Sequence, residues 1–435
     1  MSRVDERFGP ATRPLRGSLA VPGDKSISHR AALLGAMSEG TVRIEGYLRS
    51  ADTLATLEAV SALGASVSRE RDAVIVKGVG LRGVREPVGP IDVRNAGTLL
   101  RLLPGWLAGQ EGRSFTLDGD ESIRRRPVDR IIAPLEQMGA SISAAGGRTA
   151  PVTVHGAKLR GIRYTQPIAS AQVKSAVLIA GLLADGPTVV SEPAPSRDHT
   201  ERMLLAMGAQ LRRHGRRVTV TPGDALQARD LFVPGDPSSA AFWVTAALLV
   251  PGSTLHIHPV AANWTRCGFI AIARRMGAAI EGELEQPSAQ LRALEPATAL
   301  EATHGPLTGT TVEGAEVPLA IDELPLVALL GCFAEGETVV TGAGELRVKE
   351  SDRIATVVEG LRALGATIKG TEDGFVVRGT GGLRGGVLHA HGDHRLAMLG
   401  AIAGLASREG VEVIGMEAAA VSYPGFAGDL ARLTR

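Results

Sequence analysis

Charged side chains of both signs are interspersed along the stretch RVKESDRI, which runs from Arg347 to Ile354. Such spacing is typical of a solvated helix face, where residues three or four apart form ion pairs. The same residue types can also do chemistry, because arginine and lysine bind phosphate and carboxylate groups while carboxylates transfer protons. The elements around the stretch decide between an exposed face and a binding site.

Similar polar clusters stand at the start of six apolar, helix-like segments. They are GDKSISHR, RNAGTLLR, IASAQVK, PGDPSSAA, AIDEL and HGDHR. Helix capping accounts for their Asp, Asn and Ser residues, which are the preferred N-caps. Capping leaves unexplained the cations Lys25, Arg30, Arg101 and Arg395. Since a cation near a helix N-terminus opposes the helix dipole, cations gathered at these ends predict an anion site.

A glycine followed by a short apolar strand recurs about every 70 residues along the chain. The positions are Gly40, Gly112, Gly186, Gly252, Gly336 and Gly410. A second glycine alternates with the first, at Gly64, Gly139, Gly208, Gly277 and Gly365. Each glycine is predicted to end a helix and lead into a strand, which gives six helix–strand–helix–strand copies. We place a hinge at FVPGDP, between copies three and four. RVKESDRI then begins the second helix of the fifth copy and directs its cations toward the other clusters.

Composition argues against several classes of protein. The 435 residues carry a formal net charge of +1, so no global field attracts nucleic acid or an anionic membrane. The two cysteines, Cys267 and Cys332, cannot form a disulfide framework, which suits a reducing cytoplasm. The N-terminus has no apolar signal core, and apolar runs of about 11 residues are too short for a bilayer. We expect a cytoplasmic globular protein without nucleic-acid or membrane partners.

Seven motifs, in order, resemble those of the 3-phosphoshikimate 1-carboxyvinyltransferases, the EPSP synthase members of the enolpyruvyl transferase family. They are PGDKSISHR, NAGTLLR, RRRPVDR, SAQVKSAVL, GDPSSAAF, RVKESDR and GDHRLAM. The resemblance implies an α/β fold (α+β in some schemes) of two similar domains, each with three repeated helix–strand units. Helices would lie inside sheets, as in an inside-out α/β barrel. Residues 23–234 would form the first domain, and 1–22 with 235–435 the second. The active site would lie in an interdomain cleft that closes on substrate.

The resemblance also implies a reaction. Phosphoenolpyruvate would pass its enolpyruvyl group to the 5-hydroxyl of 3-phosphoshikimate, by addition and elimination through a tetrahedral intermediate, and release phosphate. Two substrates with two phosphates and two carboxylates would need the gathered cations. The resemblance implies no metal and no organic cofactor. It further implies glyphosate as an inhibitor, and we expect a monomer.

Residue roles follow from the resemblance, motif by motif. Asp322 would be the catalytic base and Glu350 the acid, with Lys25 as the third catalytic residue. The residues implied for 3-phosphoshikimate are Lys25, Ser26, Arg30, Ser170, Ala171, Gln172, Arg197, Asp322 and Lys349. Those implied for phosphoenolpyruvate are Lys25, Gly97, Arg126, Gln172, Arg353 and Arg395. Ser196 would join the first set, His394 would orient the site, and Glu345 stands where the family has a substrate-binding Asn.

Some positions depart from the best-known branch of the family. Asp24 stands where a Ser is common. Ala171 stands where a second Ser is common, so one phosphate contact must come from the backbone or be missing. A C-terminal Lys of that branch has no counterpart, because no lysine follows Lys369. Gly97 is kept, which leaves room in the phosphoenolpyruvate pocket.

Three alternatives remain open at this point. HAHGDH places His389, His391 and His394 at the HxHxDH spacing of a metallohydrolase zinc site. A UDP-sugar carboxyvinyltransferase would share the fold but use a loop cysteine as acid, and Cys267 and Cys332 are the only cysteines available. A non-catalytic scaffold would bind both anions without turnover.

Overall fold

The computed structural model describes residues 4–288 and 290–434, and the chain divides into two units. The first unit comprises Gly23–Pro234 with Pro287–Glu295, and the second comprises the N-terminal segment through residue 22, Gly235–Gln286 and the chain from Pro296 onward. Sequence analysis placed residues 287–295 in the second domain. They group with the first unit, because Glu295 accepts a hydrogen bond from His199, 2.7 Å away, and the Leu294 carbonyl accepts one from Arg202.

The strands are short, as the closely spaced turn residues require. They are β1 (Asp5–Phe8), β2 (Arg16–Leu19), β3 (Ser38–Glu39), β4 (Thr41–Glu45), β5 (Ser66–Arg69), β6 (Ala73–Lys77), β7 (Ile91–Asp92), β8 (Ser114–Asp118), β9 (Ser141–Ala145), β10 (Thr149–His155), β11 (Arg163–Thr165), β12 (Thr188–Ser191), β13 (Leu211–His214), β14 (Arg217–Val220), β15 (Leu226–Gln227), β16 (Leu231–Phe232), β17 (Thr254–Ala261), β18 (Ala279–Glu281), β19 (Ala297–Thr303), β20 (Thr311–Val312), β21 (Glu337–Val340), β22 (Thr367–Gly370), β23 (Phe375–Arg378), β24 (Gly386–His389) and β25 (Val411–Ile414).

The helices include largely buried ones and ones with an exposed face. They are α1 (Lys25–Met37), α2 (Ala51–Ala62), α3 (Gly97–Leu107), α4 (Glu121–Arg125), α5 (Asp129–Gln137), α6 (Ala171–Gly181), α7 (His199–Ala206), α8 (Pro237–Leu249), α9 (Gly268–Arg275), α10 (Val317–Ala320), α11 (Leu324–Phe333), α12 (Arg353–Ala363), α13 (His394–Ala406) and α14 (Phe426–Thr434). Two 3₁₀ helices span Gly344–Val348 and Met416–Val421.

Five of the sheets repeat one four-stranded pattern. The predicted helix–strand–helix–strand copies account for only some of the strands in it. The orders are β16-β4-β6-β5, β7-β8-β10-β9, β11-β12-β14-β13, β18-β19-β17-β2 and β20-β21-β23-β22. In each, the strand that follows a buried helix has one parallel and one antiparallel neighbour. Two strands follow the second helix of a copy, so the predicted single strand was incomplete. The glycine marks identify only strands that directly follow a helix, and therefore miss the return strand of each hairpin.

Two strands lie just before the points where the chain passes from one unit to the other, and each completes a sheet with strands that are distant in the sequence. β2 pairs in parallel with β17 of the fourth copy, and β16 pairs in parallel with β4 of the first. The sixth copy has no return hairpin, and β1 takes its place, pairing antiparallel with β25 in the register Asp5↔Ile414 to Phe8↔Val411. The N-terminal strands therefore belong to the second unit.

The core of each unit is built from its three apolar helices, which lie inside the sheets. In the first unit α3 packs on α1 and α6. The approach of α3 to α6 is so close that a Cβ on Gly105 would lie 2.3 Å from the Ala176 carbonyl oxygen. In the second unit α8, α11 and α13 pack on one another, and every residue of α8 is buried. Burying each large aliphatic side chain contributes about 1.5–3 kcal/mol, so these helices supply much of the driving force for folding.

The second set of glycine marks performs the predicted helix-ending role, whereas the glycines of the first set lie two to four residues beyond the helix C-caps. Each glycine of the second set directly follows a helix C-cap and has a positive φ, from 84° at Gly208 to 110° at Gly139. That backbone region favours glycine, because a side chain there is strained. Gly186 is the one marker glycine without a positive φ. Of the helices in the described part of the chain, none combines the length and apolar character needed to cross a membrane.

Candidate active site

The start of α1 gathers the first predicted cations. Asp24 caps the helix, its Oδ1 accepting from the Ile27 amide at 2.8 Å, which leaves Lys25 as the first helical residue. The Lys25 ammonium lies 3.2 Å from Asp52 Oδ2, and its side chain is 18% exposed. Lys25 therefore carries a charge that a ligand can reach, held by one carboxylate.

Arg30 lies one turn further along α1 and is almost completely buried. Its Nε donates to Thr200 Oγ1 at 2.7 Å and its Nη2 donates to Ser175 Oγ at 3.0 Å. Burial lowers the pKa of Arg30 to about 10, well above neutrality, so the guanidinium stays charged. Arg197 donates to Ser26 Oγ at 3.3 Å, which joins a fourth predicted residue to this group.

The start of α6 places its predicted residues beside α3. Ser170 caps α6, and its own amide donates to Gln166 Oε1 at 2.9 Å. Gln172 Nε2 donates to Thr98 Oγ1 at 3.2 Å, which ties the first turns of the two buried helices together. Ala171 contributes only backbone here, its carbonyl accepting from Ser175 Oγ. The expected second Ser hydroxyl has no substitute at this position.

Gly97 and Arg126 meet at the start of α3. Arg126 Nη2 donates to Asn95 Oδ1 at 3.3 Å and to Ser122 Oγ at 3.1 Å. A Cβ built on Gly97 would lie 2.8 Å from Arg126 Nη1. The Gly97 amide donates to the Asn95 carbonyl at 2.9 Å. The glycine therefore makes space for a buried arginine.

Arg353 is the centre of the corresponding cluster in the second unit. Its Nη1 lies 3.1 Å from Asp322 Oδ1, its Nη2 2.6 Å from Glu350 Oε2, and its Nε 2.7 Å from Asp393 Oδ2. The side chain is 1% exposed. Burial disfavours the charged form, but the three carboxylates outweigh it and raise the pKa of Arg353. Burial likewise opposes ionisation of Asp393, yet Arg353 holds the pKa of that carboxyl below its ordinary value.

Two further cations approach Asp322. Lys349 Nζ lies 3.7 Å from Asp322 Oδ1, and Arg395 Nη2 lies 3.7 Å from Asp322 Oδ2. Asp393 caps α13 by accepting from the Arg395 amide at 2.9 Å, which fixes the backbone of that arginine. His394 is the first residue of α13 and is buried. Asp322 and Glu350 keep side-chain exposures of 13% and 19%, so both predicted carboxylates remain reachable.

Some residues of the stretch RVKESDRI belong to the candidate site, and others form contacts outside it. Lys349, Glu350 and Arg353 join the Asp322 cluster. Arg347 does not, because its guanidinium donates to the Glu372 and Thr371 carbonyls and pairs with Asp352 at 2.7 Å. The prediction that both arginines point toward the site was therefore wrong for Arg347. The helix α12 begins only at Arg353, so most of the stretch precedes it.

The remaining predicted residues lie at the margins of the two clusters. Ser196 is buried, and its hydroxyl donates to Glu192. Glu345 is half-buried on the 3₁₀ helix Gly344–Val348. Sequence analysis assigned no role to the residues that hold the cations in place. These are Asp52, Ser175, Thr200, Glu323 and Asp393. Each stands within a polar cluster at a helix start or directly behind it, which is the signal that could have found them.

The two enzymatic alternatives find no support in these side chains. His389 and His391 lie with ring centroids 5.9 Å apart, but no three His, Cys, Asp or Glu within residues 4–288 and 290–434 are grouped to hold a metal ion. Cys267 and Cys332 are buried, and burial raises the pKa of each thiol to about 12. Neither cysteine is placed as the loop acid that a UDP-sugar carboxyvinyltransferase would need.

Comparison with known proteins gives one consistent result. Residues 10–430 match the family model described as EPSP synthase (3-phosphoshikimate 1-carboxyvinyltransferase). The chain is 49% identical over 427 residues to the 3-phosphoshikimate 1-carboxyvinyltransferase of Roseiflexus castenholzii, covering 97% of this chain and 98% of that one. It is 47% identical to that of Synechococcus sp. strain WH7803, covering 96% of each.

Solved structures agree with this. The EPSP synthase of Acinetobacter baumannii superposes with a TM-score of 0.86 at 40% identity, covering 99% of this chain and 98% of that one. The enolpyruvyl transferase NikO of Streptomyces tendae shares the fold, with a TM-score of 0.79 at 18% identity and coverage of 99% and 97%.

Proposed function

Because the chain belongs to the EPSP synthase (3-phosphoshikimate 1-carboxyvinyltransferase) family, it transfers the carboxyvinyl group of phosphoenolpyruvate to 3-phosphoshikimate in the shikimate pathway, and we propose which of its residues do so. The observation that carries the proposal is the Arg353 cluster. It holds two reachable carboxylates, Asp322 and Glu350, on one buried guanidinium. Paired carboxylates of this kind suit the removal and delivery of protons.

The first unit supplies the main site for 3-phosphoshikimate. Lys25, Arg30 and Arg197 balance its phosphate and carboxylate groups, and hydroxyl and amide groups fix its orientation. The residues proposed for this substrate are Lys25, Ser26, Arg30, Ser170, Ala171, Gln172, Ser196 and Arg197, with Asp322 and Lys349 on its hydroxyls. The contacts among Ser26, Arg30 and Arg197 support this set, because they bring the three residues together.

Phosphoenolpyruvate also carries a phosphate and a carboxylate, so the residues proposed for it again include cations. Gly97, Arg126 and Gln172 lie together at the starts of α3 and α6. Arg353 and Arg395 both approach Asp322, and they would bring the substrate's carboxylate to the acid and the base. Lys25 serves both substrates.

The reaction takes two steps. In the first, Asp322 takes the proton of the 5-hydroxyl, the oxygen bonds to C2 of phosphoenolpyruvate, and Glu350 gives a proton to C3, which becomes a methyl group. In the second, Glu350 takes a proton back from that methyl group, the bond from C2 to the phosphate oxygen breaks, Asp322 gives its proton to the departing phosphate, and the double bond reforms. The cycle therefore begins with Asp322 ionised and Glu350 protonated, and it ends with both in the same state.

Further properties belong to the same proposal. Glyphosate, an anion with a carboxylate and a phosphonate, would compete for the phosphoenolpyruvate cations. All residues assigned to both substrates lie on one chain, which supports a monomeric enzyme. Phosphoenolpyruvate is a cytoplasmic metabolite, which supports a cytoplasmic location.

A deuterium experiment tests the assignment of Glu350. In deuterium oxide, addition and reversal should place deuterium on C3 of phosphoenolpyruvate and of the product vinyl group. Glu350→Gln should lose this incorporation by at least a hundredfold while still binding 3-phosphoshikimate. Glu359→Gln, at an exposed position of α12, is the matched control. Incorporation at the wild-type rate in Glu350→Gln would show that another group is the acid.

A further inference from the structure

A buried ion cluster lies behind the 3-phosphoshikimate residues of the first unit. Lys174 follows Gln172 by two positions on α6, and its side chain is 2% exposed. Its ammonium lies 2.9 Å from Glu192 Oε2 and 2.7 Å from Glu201 Oε1, and both carboxylates are equally buried. We call Lys174, Glu192 and Glu201 the buried triad. None of the three has a role in the mechanism above.

The buried triad holds both ends of the segment that carries Ser196 and Arg197. Glu192 follows β12, and Glu201 lies in the first turn of α7, so the segment is bounded by two triad members. The Ser196 hydroxyl donates to the Glu192 carboxylate, and the Ser196 carbonyl accepts from the Lys174 ammonium at 3.5 Å. Lys174 therefore fixes the segment from within α6.

The same cluster supports Arg30 through the neighbours of its members. Ser175 follows Lys174 and Thr200 precedes Glu201, and their hydroxyls lie 2.6 Å apart. Each accepts a hydrogen bond from the Arg30 guanidinium. The buried triad therefore lies one residue away from both hydroxyls that hold this buried cation. Burial lowers the pKa of Arg30, and Glu201 is the group that most opposes the decrease.

Stability alone does not account for this arrangement. Removing three charges from water is costly, and replacing a buried ion cluster with apolar side chains is often neutral or stabilising. The ion pairs and hydrogen bonds of the buried triad are directional, so they specify one geometry for the segment that carries Ser196 and Arg197. Apolar packing is less directional and would specify this geometry less strictly.

We propose that the buried triad is a positioning device for 3-phosphoshikimate, which holds Ser196, Arg197 and Arg30 in the geometry that binds this substrate. The inference rests on the proposed assignment of those three residues. It predicts a selective effect, because Lys174 supports the 3-phosphoshikimate residues while Gly97 and Arg126 on the phosphoenolpyruvate side are held by other contacts.

Two variants and one control test the proposal. Lys174→Met removes the central charge, and the milder Glu192→Gln keeps the shape while weakening the contacts to Ser196 and Lys174. Lys77→Met, on an exposed position of β6, is the control. The dissociation constant of 3-phosphoshikimate is measured by calorimetry without phosphoenolpyruvate, and kcat and both KM values by phosphate release. We expect the dissociation constant to rise at least tenfold in Lys174→Met and threefold or more in Glu192→Gln. The KM of phosphoenolpyruvate and kcat should stay within about twofold, and the control should be unchanged.

Several results would overturn the proposal. One is an unchanged dissociation constant in a folded Lys174→Met or, where that variant does not fold, in Glu192→Gln. Another is an equal rise for both substrates, which would indicate general loosening of the first unit. Failure of the proposed site is distinguishable, because Arg30→Met and Arg197→Met would then leave 3-phosphoshikimate binding intact as well.

Discussion

Substitution of Gly97 by alanine tests the phosphoenolpyruvate site at a defined contact. The added Cβ would lie 2.8 Å from Arg126 Nη1 and 3.2 Å from Arg101 Nη1, closer than ordinary van der Waals contact. Arg126 is 9% exposed and hydrogen-bonded to Asn95 and Ser122, so its guanidinium must give way by several tenths of an ångström within a tight site. The methyl group therefore acts on an arginine that we propose binds phosphoenolpyruvate.

The expected magnitude follows from the hydrogen bonds at risk. A hydrogen bond to a charged group contributes about 1.5–3 kcal/mol, which corresponds to roughly a tenfold to hundredfold rise in the KM of phosphoenolpyruvate. The φ of Gly97 lies outside the left-handed region, so alanine adds no backbone strain. A Gly→Ala change at such a site stabilises a protein by about 0.4–1 kcal/mol. Affinity should therefore fall while thermal stability is kept or slightly raised.

Steady-state kinetics and thermal melts on the same preparations check this. Glyphosate, the longer ligand, should lose more affinity than phosphoenolpyruvate. Gly186→Ala is the matched control, because no atom lies within 4 Å of the added Cβ and its φ is also outside the left-handed region. A lower melting temperature with unchanged inhibition, or equal losses for both ligands, would refute the steric reasoning.

Three further predictions concern single charged groups. Lys25→Met should reduce kcat at least a hundredfold while costing about 1 kcal/mol of stability or less, because the pair with Asp52 is partly exposed; a stability loss with normal turnover would make Lys25 structural. Arg353→Lys should lower the free energy of unfolding in urea by about 3–5 kcal/mol, since one ammonium cannot pair with all three carboxylates and would leave the buried Asp393 poorly compensated; a loss under 1 kcal/mol would contradict this. Burial lowers the pKa of His29 to about 3 from an ordinary value of 6.5, so the unfolded chain binds the extra proton between those values. The free energy of unfolding should therefore decrease as the pH is lowered through that window. His29→Asn should reduce the slope of this free energy against pH by about 1.4 kcal/mol per pH unit; an unchanged slope would show that His29 is protonated in the fold.

Much of the fold could be predicted from its repeats. The apolar helices and the glycines that end them have strong signals, since a buried helix needs apolar residues on all faces and a helix end needs a positive φ. The return strands have weak signals, because they do not directly follow a helix and their turns use varied residues. The grouping of residues 287–295 with the first unit depends on Glu295 and Leu294 contacting α7, which no local pattern indicates.

The candidate site shows the same division. Cations at helix starts were predictable, because capping cannot explain them. The orientation of a single arginine side chain was not predictable, as Arg347 and Arg353 show. Both stand in one charged octet, yet one side chain bonds to a hairpin turn and the other to three carboxylates. The direction in which each side chain points depends on the sheet and helix that surround it. The spacing of charges in the sequence is compatible with either direction.

Release of inorganic phosphate by the purified chain tests the central claim most directly. Phosphoenolpyruvate and 3-phosphoshikimate are supplied separately and then together, and the product is identified by mass. The account predicts phosphate release only when both are present, one phosphate for each carboxyvinyl group transferred, and its loss in Asp322→Asn. Phosphate release from either substrate alone, or binding of both without any transfer, would contradict it.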